Sequence, residues 1–365
     1  MIVPNYMGID IFPHCIDSLL KQDYPNLEIV FSDDCSTDGS YEHAKRVYGA
    51  NKNVVIIRSK KNNGYTGAIN NGYKHSSGAY IVLGNNDCVY PKNWISEMYR
   101  TVKGKKNVLG GSFGRSPRQD MNELRSTLRH HLGTFTLTGT MASRRRSPLE
   151  TEFVEVHAAG LLIIPRTAIG DKIFIDSYFA YGEDVELCWR LRLRGYHIVV
   201  NPRAIYVSEG SYTRKKLSTF NKRASFHSMK NIITNFLVFY EWKNILRIGP
   251  WFMLMTIGRA FARPAHWPQY AKGYLWALTH LGTIIRRRRE IQRTRTVGDD
   301  EIIRLLSYKL HEESTAASTW RTKVIIFANA CMRVYCKIVM LKTFDRDDAD
   351  AYPSVDPSFV QRRDT

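Results

Sequence analysis

No CxxC pair occurs among the six cysteines, Cys15, Cys35, Cys88, Cys188, Cys331 and Cys336. Their scatter argues against a zinc site or a disulfide framework and suits a reducing compartment. No secretory signal is expected either: Pro4 and a polar turn follow Met1, where a signal would carry a charged segment and an apolar run. Nor does any apolar stretch reach the roughly 18 uncharged residues of a spanning helix. Acidic residues are scarce, 34 against 53 Lys and Arg, which leaves a net charge of +19 over 365 residues. Such an excess favours an anionic partner, whether nucleic acid, anionic lipid or a phosphorylated substrate, and is silent about fold. Repeats and low-complexity tracts are also absent, while 44% apolar residues suffice for a sizeable core. The expectation is a cytosolic catalytic domain with an appendage.

What is present is an alternation of short apolar strands and amphipathic helices. Strands are expected at Ile2-Val3, 27–31, 54–57 and 80–83, with helices over 11–21, 40–48 and 66–75. This order implies an α/β fold with a mainly parallel central sheet covered on both faces. In such sheets ligands gather at the carboxyl ends of the strands. The polar clusters Pro4-Asn5-Tyr6, Ser32-Asp33-Asp34, Asn62-Asn63-Gly64 and Asn85-Asn86-Asp87 all fall there. From Gly110 to about Pro148 the pattern dissolves into Gly, Ser, Arg and Thr and reads as an irregular insertion. Strand-like sequence returns over 153–164, a helix over 185–194 closed by Gly195, and a strand over 197–200. Beyond about Ser218, helical stretches at 232–242, 251–261 and 274–285 mix Trp, Phe, Leu and Ile with Lys and Arg, the last running into Arg286-Arg287-Arg288-Arg289. Two readings stand open for them: helices lying in a membrane interface, or an ordinary helical subdomain on the core. The Asp-rich tail from Asp345 reads as disordered.

Each polar cluster is a weak signal by itself. Asp33 and Asp34 could accept hydrogen bonds from a base and a ribose, but such sequences also form turns, and Asp38 is placed to cap a helix. Asp87, with Asn85 as a neutral oxygen donor, could hold a hard divalent ion on a diphosphate; Asn and Asp are equally at home in a strand-to-loop turn. Gly182-Glu183-Asp184 puts paired acids at a helix N-terminus, where the dipole favours the charged form and a general base must be ionised.

Taken together, in order and spacing, these elements resemble the family-2 glycosyltransferases, in particular the rhamnosyltransferase-like branch with the GT-A fold. The resemblance runs through Ile2 to Tyr6, Ser18 to Pro25, Asp33 to Ser40, Asn62 to Tyr65, Leu83 to Asp87 and Phe179 to Arg190, covering about residues 1–215. It implies a catalytic domain over 1–215, with a nucleotide-binding half (1–109) and an acceptor half (110–215). A helical, basic, membrane-interface region (216–343) and a disordered tail (344–365) complete the expected organisation. By position, Pro4, Asn5, Tyr6, Asp33, Asp34, Asn63 and Asn86 match the nucleotide-sugar pocket. Asp87 and Asn85 match the metal-binding Asp-x-Asp element for Mg²⁺ or Mn²⁺, Asp184 the catalytic base, and Glu183 its neighbour. Such enzymes are inverting: an acceptor hydroxyl displaces the nucleoside diphosphate, here UDP or dTDP, in one step while the metal stabilises the leaving group. Three departures stand out. Asn85 replaces the first Asp, Ser208 stands where relatives place a metal-binding histidine, and the first strand begins only three residues before Pro4.

The expected activity is therefore sugar transfer from a nucleotide-sugar to a glycan or lipid-linked acceptor in polysaccharide, cell-wall or glycolipid assembly. It would take place peripherally at the cytoplasmic face of an anionic membrane. A catalytically silent nucleotide-sugar-binding relative is the alternative that Ser208 keeps open. A basic nucleic-acid-binding protein is a further one, opposed by the acidic strand ends and the lack of any helix-turn-helix, zinc finger or RNP motif, so no nucleic acid is expected as a partner. Of the remaining residues, His157 reads as a satisfied histidine, Trp189 as core, and Arg190 as either a diphosphate contact or a solvated helix face.

Overall fold

The computed structural model describes residues 1–118, 132–137, 141–145, 153–155, 161–208, 220–262, 264–308 and 320–343. The first strands, β1 (Ile2–Asn5), β2 (Ile29–Asp33) and β3 (Val54–Arg58), pair in parallel in the order β1-β2-β3. Beside β1 lies β4 (Tyr80–Val82), joined to it by a parallel bridge, Ile2 to Leu83. The sheet then changes character. The short β5 (Cys88–Val89) pairs antiparallel with β11 (His197–Ser208), and β6 (Val108–Arg115) runs parallel to β11. β10 (Leu162–Pro165) lies antiparallel between β4 and β6, and β9 (Phe153–Glu155) antiparallel beside β11. The expected mainly parallel sheet thus holds for β1–β3 with β4 beside β1, while the rest of the sheet is mixed. Antiparallel neighbours need no helical crossover, so β10 enters the sheet with no helix pattern to announce it.

The insertion expected from Gly110 is corrected in its first part, which is the sheet strand β6. Glycines interrupt its apolar pattern because neighbours press on them: a Cβ on Gly110 would lie 2.6 Å from the Ile163 side chain, and one on Gly114 2.8 Å from the Tyr206 ring. Further on, β7 (Leu132–Phe135) and β8 (Met141–Arg145) form an antiparallel pair.

Helices cover both faces of the sheet. On one, α1 (Phe12–Leu20) buries Phe12, Cys15, Ile16 and Leu19, spaced three and four apart, together with α2 (Ser40–Tyr48) and α4 (Trp94–Val102). On the other, α3 (Gly64–Lys74) and α5 (Glu183–Leu193) pack Ile69, Tyr73, Leu187 and Leu191 against Ile2, Val30, Ile81 and Leu109. β1 and β2 alternate their side chains between these two cores, as period-two strands must.

The outer face of α5 carries Val185, Trp189 and Leu193 into a third core, built with α6 (Phe220–Phe239), α7 (Trp242–Ala262), α8 (Trp267–Thr279), α9 (Leu281–Thr294), the short α10 (Asp299–Ile303) and α11 (Trp320–Ile338). Trp189 stacks on Phe239 at 5.4 Å and meets Tyr240 edge-on, the core role expected for it. Arg190 contacts neither solvent alone nor the strand ends: with Arg287 it pairs with the buried Glu186. The 215/216 division falls within 209–219, and the Asp-rich tail within 344–365, both outside the described residues.

Candidate functional site

The C-terminal ends of β1, β2 and β4 meet at Asn5. Its side-chain amide donates to Asp33 Oδ1 at 3.0 Å, and its Oδ1 accepts from Asn86 Nδ2 at 2.7 Å. Asp33 is wholly buried; its Oδ2 accepts the Ser36 N–H at 3.0 Å and lies 3.5 Å from Arg58 Nε. Asp34 turns the other way and accepts the backbone N–H groups of Asn63 and Gly64, at 3.0 and 2.8 Å, at the start of α3. Burial lifts its pKa to about 6, against the lowering effect of those two amides. Both carboxylates are therefore engaged by the protein itself, Asp34 as the anion at a helix N-terminus. Pro4 is buried and Tyr6 half-buried beside them.

Asn85, Asn86 and Asp87 follow β4 and are partly exposed. Asn85 is anchored through its backbone, its carbonyl accepting from Cys15 Sγ at 3.3 Å. Asp87 Oδ1 lies 3.6 Å from Cys88 Sγ, and Cys88 faces Ser208 in the β5–β11 register, with the Ser208 hydroxyl bonded to the thiol. The residue at the expected histidine position thus comes beside Cys88, the neighbour of Asp87. Among the described residues, no three His, Cys, Asp or Glu side chains gather into a metal cage. The donor set fits an ion of the Mg²⁺ type, which one or two carboxylates, waters and substrate phosphates hold together.

Glu183 and Asp184 open α5 after a turn of unusual backbone. Phe179, Tyr181 and Gly182 have φ of 63°, 66° and 89°, conformations that disfavour the first two residues. Asp184 is exposed, and its Oδ1 accepts the Val185 N–H at 2.8 Å. Glu183 Oε2 is buried without a hydrogen-bond partner. Burial first, and the Asp184 charge second, push the Glu183 pKa up to about 8.

Two contacts bring this turn to the strand ends. The Thr66 N–H donates to the Phe179 carbonyl at 3.2 Å, and Gly64, at φ 75°, lies so close that a Cβ there would stand 2.5 Å from the same oxygen. Tyr65 follows Gly64 in α3. Burial holds its phenol far above the usual range, reinforced by the charges of Glu183 and Asp184 and then by Cys88. Every sequence-expected site residue therefore lies in one region, while His157 is outside the described residues.

What the sequence did not disclose is the support from α6. Asn231 donates its amide to the carbonyls of Tyr178, Ala180 and Tyr181 at 3.1, 3.2 and 2.6 Å. One turn later, Asn235 donates to Gly182 O at 3.2 Å and accepts from Tyr178 Oη at 2.5 Å. Lys230 donates to the Ser177 carbonyl, and His227 stacks on Phe179 at 4.8 Å. Two asparagines four apart on one helix, Asn231 and Asn235, were the available signal.

Residues 1–159 match the family model described as Glycosyl transferase family 2. Among curated relatives, Glycosyltransferase GlyG of Streptococcus pneumoniae is 29% identical over 123 residues, 33% of this chain and 41% of that protein. Poly-beta-1,6-N-acetyl-D-glucosamine synthase of Staphylococcus epidermidis is 24% identical over 192 residues, 52% of this chain and 44% of that protein. The chain thus spans less than half the length of these relatives. Among solved structures, S. aureus TarS 1-349 superposes with a TM-score of 0.50 at 16% identity, covering 93% of this chain and 88% of that one. The fold is of the GT-A type, and residues 1–159 are similar to the family-2 glycosyltransferases.

Proposed function

We propose that this protein transfers a sugar from a nucleotide-diphosphate sugar to an acceptor hydroxyl by a single inverting displacement. The observation that carries the reading is the Gly64–Phe179 contact, which sets the Glu183–Asp184 turn against the strand ends bearing Asn5, Asp34, Asn63 and Asp87. Pro4, Asn5, Tyr6, Asp33, Asp34, Asn63 and Asn86 form the nucleotide pocket, with the two aspartates fixing its floor through their protein contacts. Asp184 takes the proton from the attacking hydroxyl. Glu183, kept protonated near neutral pH by burial, concentrates the pair's negative charge on Asp184, a division of labour set by environment. Asp87, assisted by Asn85, would hold a Mg²⁺ or Mn²⁺ ion, which when bound neutralises the leaving diphosphate.

The finer reading follows the same support. Asn85-Asn86-Asp87 is the form frequent in the rhamnosyltransferase-like branch, which keeps dTDP-sugars alongside UDP-sugars as donors. TarS 1-349 is known in complex with UDP-GlcNAc, which supports a UDP donor. Relatives named for poly-N-acetylglucosamine and teichuronic acid synthesis support a polysaccharide or cell-wall acceptor, lipid-linked or free. The six cysteines, none in a disulfide, agree with action on the cytoplasmic side of a membrane.

The test is thermal unfolding with a panel of nucleotide-sugars, with and without Mg²⁺ or Mn²⁺, followed by turnover with the donor that protects. A native-state ligand raises apparent stability by mass action. Asp87→Ala should abolish the metal-dependent part of protection. Asp184→Asn should keep protection and lose turnover by about 10²–10⁴-fold. Protection with unchanged turnover in Asp184→Asn refutes this base; protection with no turnover in the wild type favours a silent binder.

A further inference from the structure

Helix α7 shows solvent a face it would be expected to hide. Trp242, Leu246, Met253, Ile257 and Phe261 recur at intervals of four or seven, with Leu254 next to Met253, and all six are exposed, Leu246 by 76%. At ~1.5 Å per residue the stripe runs about 28 Å. At its end the Phe261 ring meets Trp267 edge-on at 5.6 Å, and a second stripe begins there. Trp267, Leu275, Leu278, Leu281 and Ile285 continue it along α8 and α9, again exposed, Leu278 by 71%. Helix α11, tied to α7 by the Tyr335 hydroxyl on the Arg247 carbonyl, exposes Phe327 and Ile338 as well. Soluble monomers rarely expose apolar surface on this scale, and a run of it marks an interaction site.

Charge selects the occupant. Helices α7, α8 and α11 contain no Asp or Glu, but carry Lys243, Arg247, Lys272, Lys323, Arg333 and Lys337. The arginine run of α9 divides: Arg287 and Arg288 turn inward, to Glu186 and to the carbonyls of Leu237 and Tyr240, whereas Arg286 and Arg289 are exposed. A second copy of this chain would set cations against cations across a two-fold interface. An anionic bilayer surface neutralises them, accepts leucine and phenylalanine below the headgroups, and seats tryptophan at headgroup level. No helix among the described residues is long and apolar enough to cross a membrane, so the helices would lie along one.

We infer that the joined apolar stripes of α7 and α8–α9, with their basic flanks, dock this protein on the surface of an anionic lipid bilayer. The inference stands independently of the sugar-transfer reading and gives that reading a place for a lipid-linked acceptor. Co-sedimentation of the full chain with phosphatidylcholine vesicles, with and without phosphatidylglycerol, tests it. Binding is expected with the anionic vesicles and should weaken as salt rises. Leu246→Glu, Leu254→Glu and Leu278→Glu should each weaken it by about tenfold or more, with the unfolding midpoint unchanged because these side chains are exposed. Val47→Glu, an exposed apolar position on α2, is the control and should bind as wild type. Failure to bind either vesicle overturns the inference. So does light scattering that shows an oligomer which the three leucine substitutions dissolve, since the face would then cover a second copy. Neither result bears on donor binding, so the sugar-transfer reading would be judged separately.

Discussion

Removing the Asn231 side chain should uncouple the Glu183–Asp184 turn, proposed above to be catalytic, from α6 without unfolding the protein. Its amide holds two hydrogens, shared among three carbonyls at 3.1, 3.2 and 2.6 Å. In Asn231→Ala those carbonyls lose their donors inside the structure, at about 1–3 kcal/mol for each hydrogen bond broken. Against this, Asn231 Oδ1 is itself buried without a partner in the wild type, and its removal returns a similar amount once. The net expectation is a destabilisation of about 1–3 kcal/mol, small enough to leave the fold intact. The turn is held with positive φ at Phe179 and Tyr181, so it has conformational energy to release when freed. A displacement of Glu183 and Asp184 by about 1 Å should lower kcat on the order of 10²-fold. Donor binding, made at the strand ends, should stay close to wild type. The assay pairs denaturant unfolding with kcat and KM for the donor that protects in thermal unfolding. A variant destabilised as expected but with wild-type kcat would refute the positioning role.

Three further outcomes follow from the same geometry. Gly64→Ala places a Cβ 2.5 Å from the Phe179 carbonyl at a φ of 75°; it should destabilise by more than about 1 kcal/mol and depress turnover, measured by unfolding and initial rate. Glu183 has a folded pKa of about 8 against an ordinary 4.5, so between these values the native chain binds more protons than the unfolded one. Stability contributed by this group therefore falls as pH rises through that window, and Glu183→Gln should gain on wild type towards alkaline pH in denaturant titrations; a constant difference would contradict the shift. Glu186→Gln removes the carboxylate shared by Arg190 and Arg287 and leaves two cations in a half-buried site, an expected loss of about 3–5 kcal/mol read from the unfolding midpoint.

The N-terminal strands and helices were legible from residue order because their information is local. Period-two strands and three-four spaced helices announce themselves, and the helix over Ser40–Tyr48 lies where the pattern puts it. The polar clusters were legible for a related reason: in a parallel arrangement each strand end faces the same edge, so Asn5, Asp34 and Asp87 had to converge. Strand β6 was missed because its glycines answer to Ile163 and Tyr206, residues far along the chain. The antiparallel entry of β10 was hidden likewise, since pairing direction is a property of the sheet and not of the strand.

Sequence by itself determined which residues could do chemistry: paired acids at a helix start, a carboxylate after β4, amides and carboxylates at the strand ends. Only the tertiary structure decided how they are used. It showed Asp34 bound to the first amides of α3, the Glu183 Oε2 buried and Asp184 exposed, and the turn before α5 gripped by asparagines from a helix that composition had marked as an appendage. It also separated the inward arginines of α9 from the outward ones. Burial and partner choice depend on contacts between residues distant in the chain, and protonation and charge follow from them.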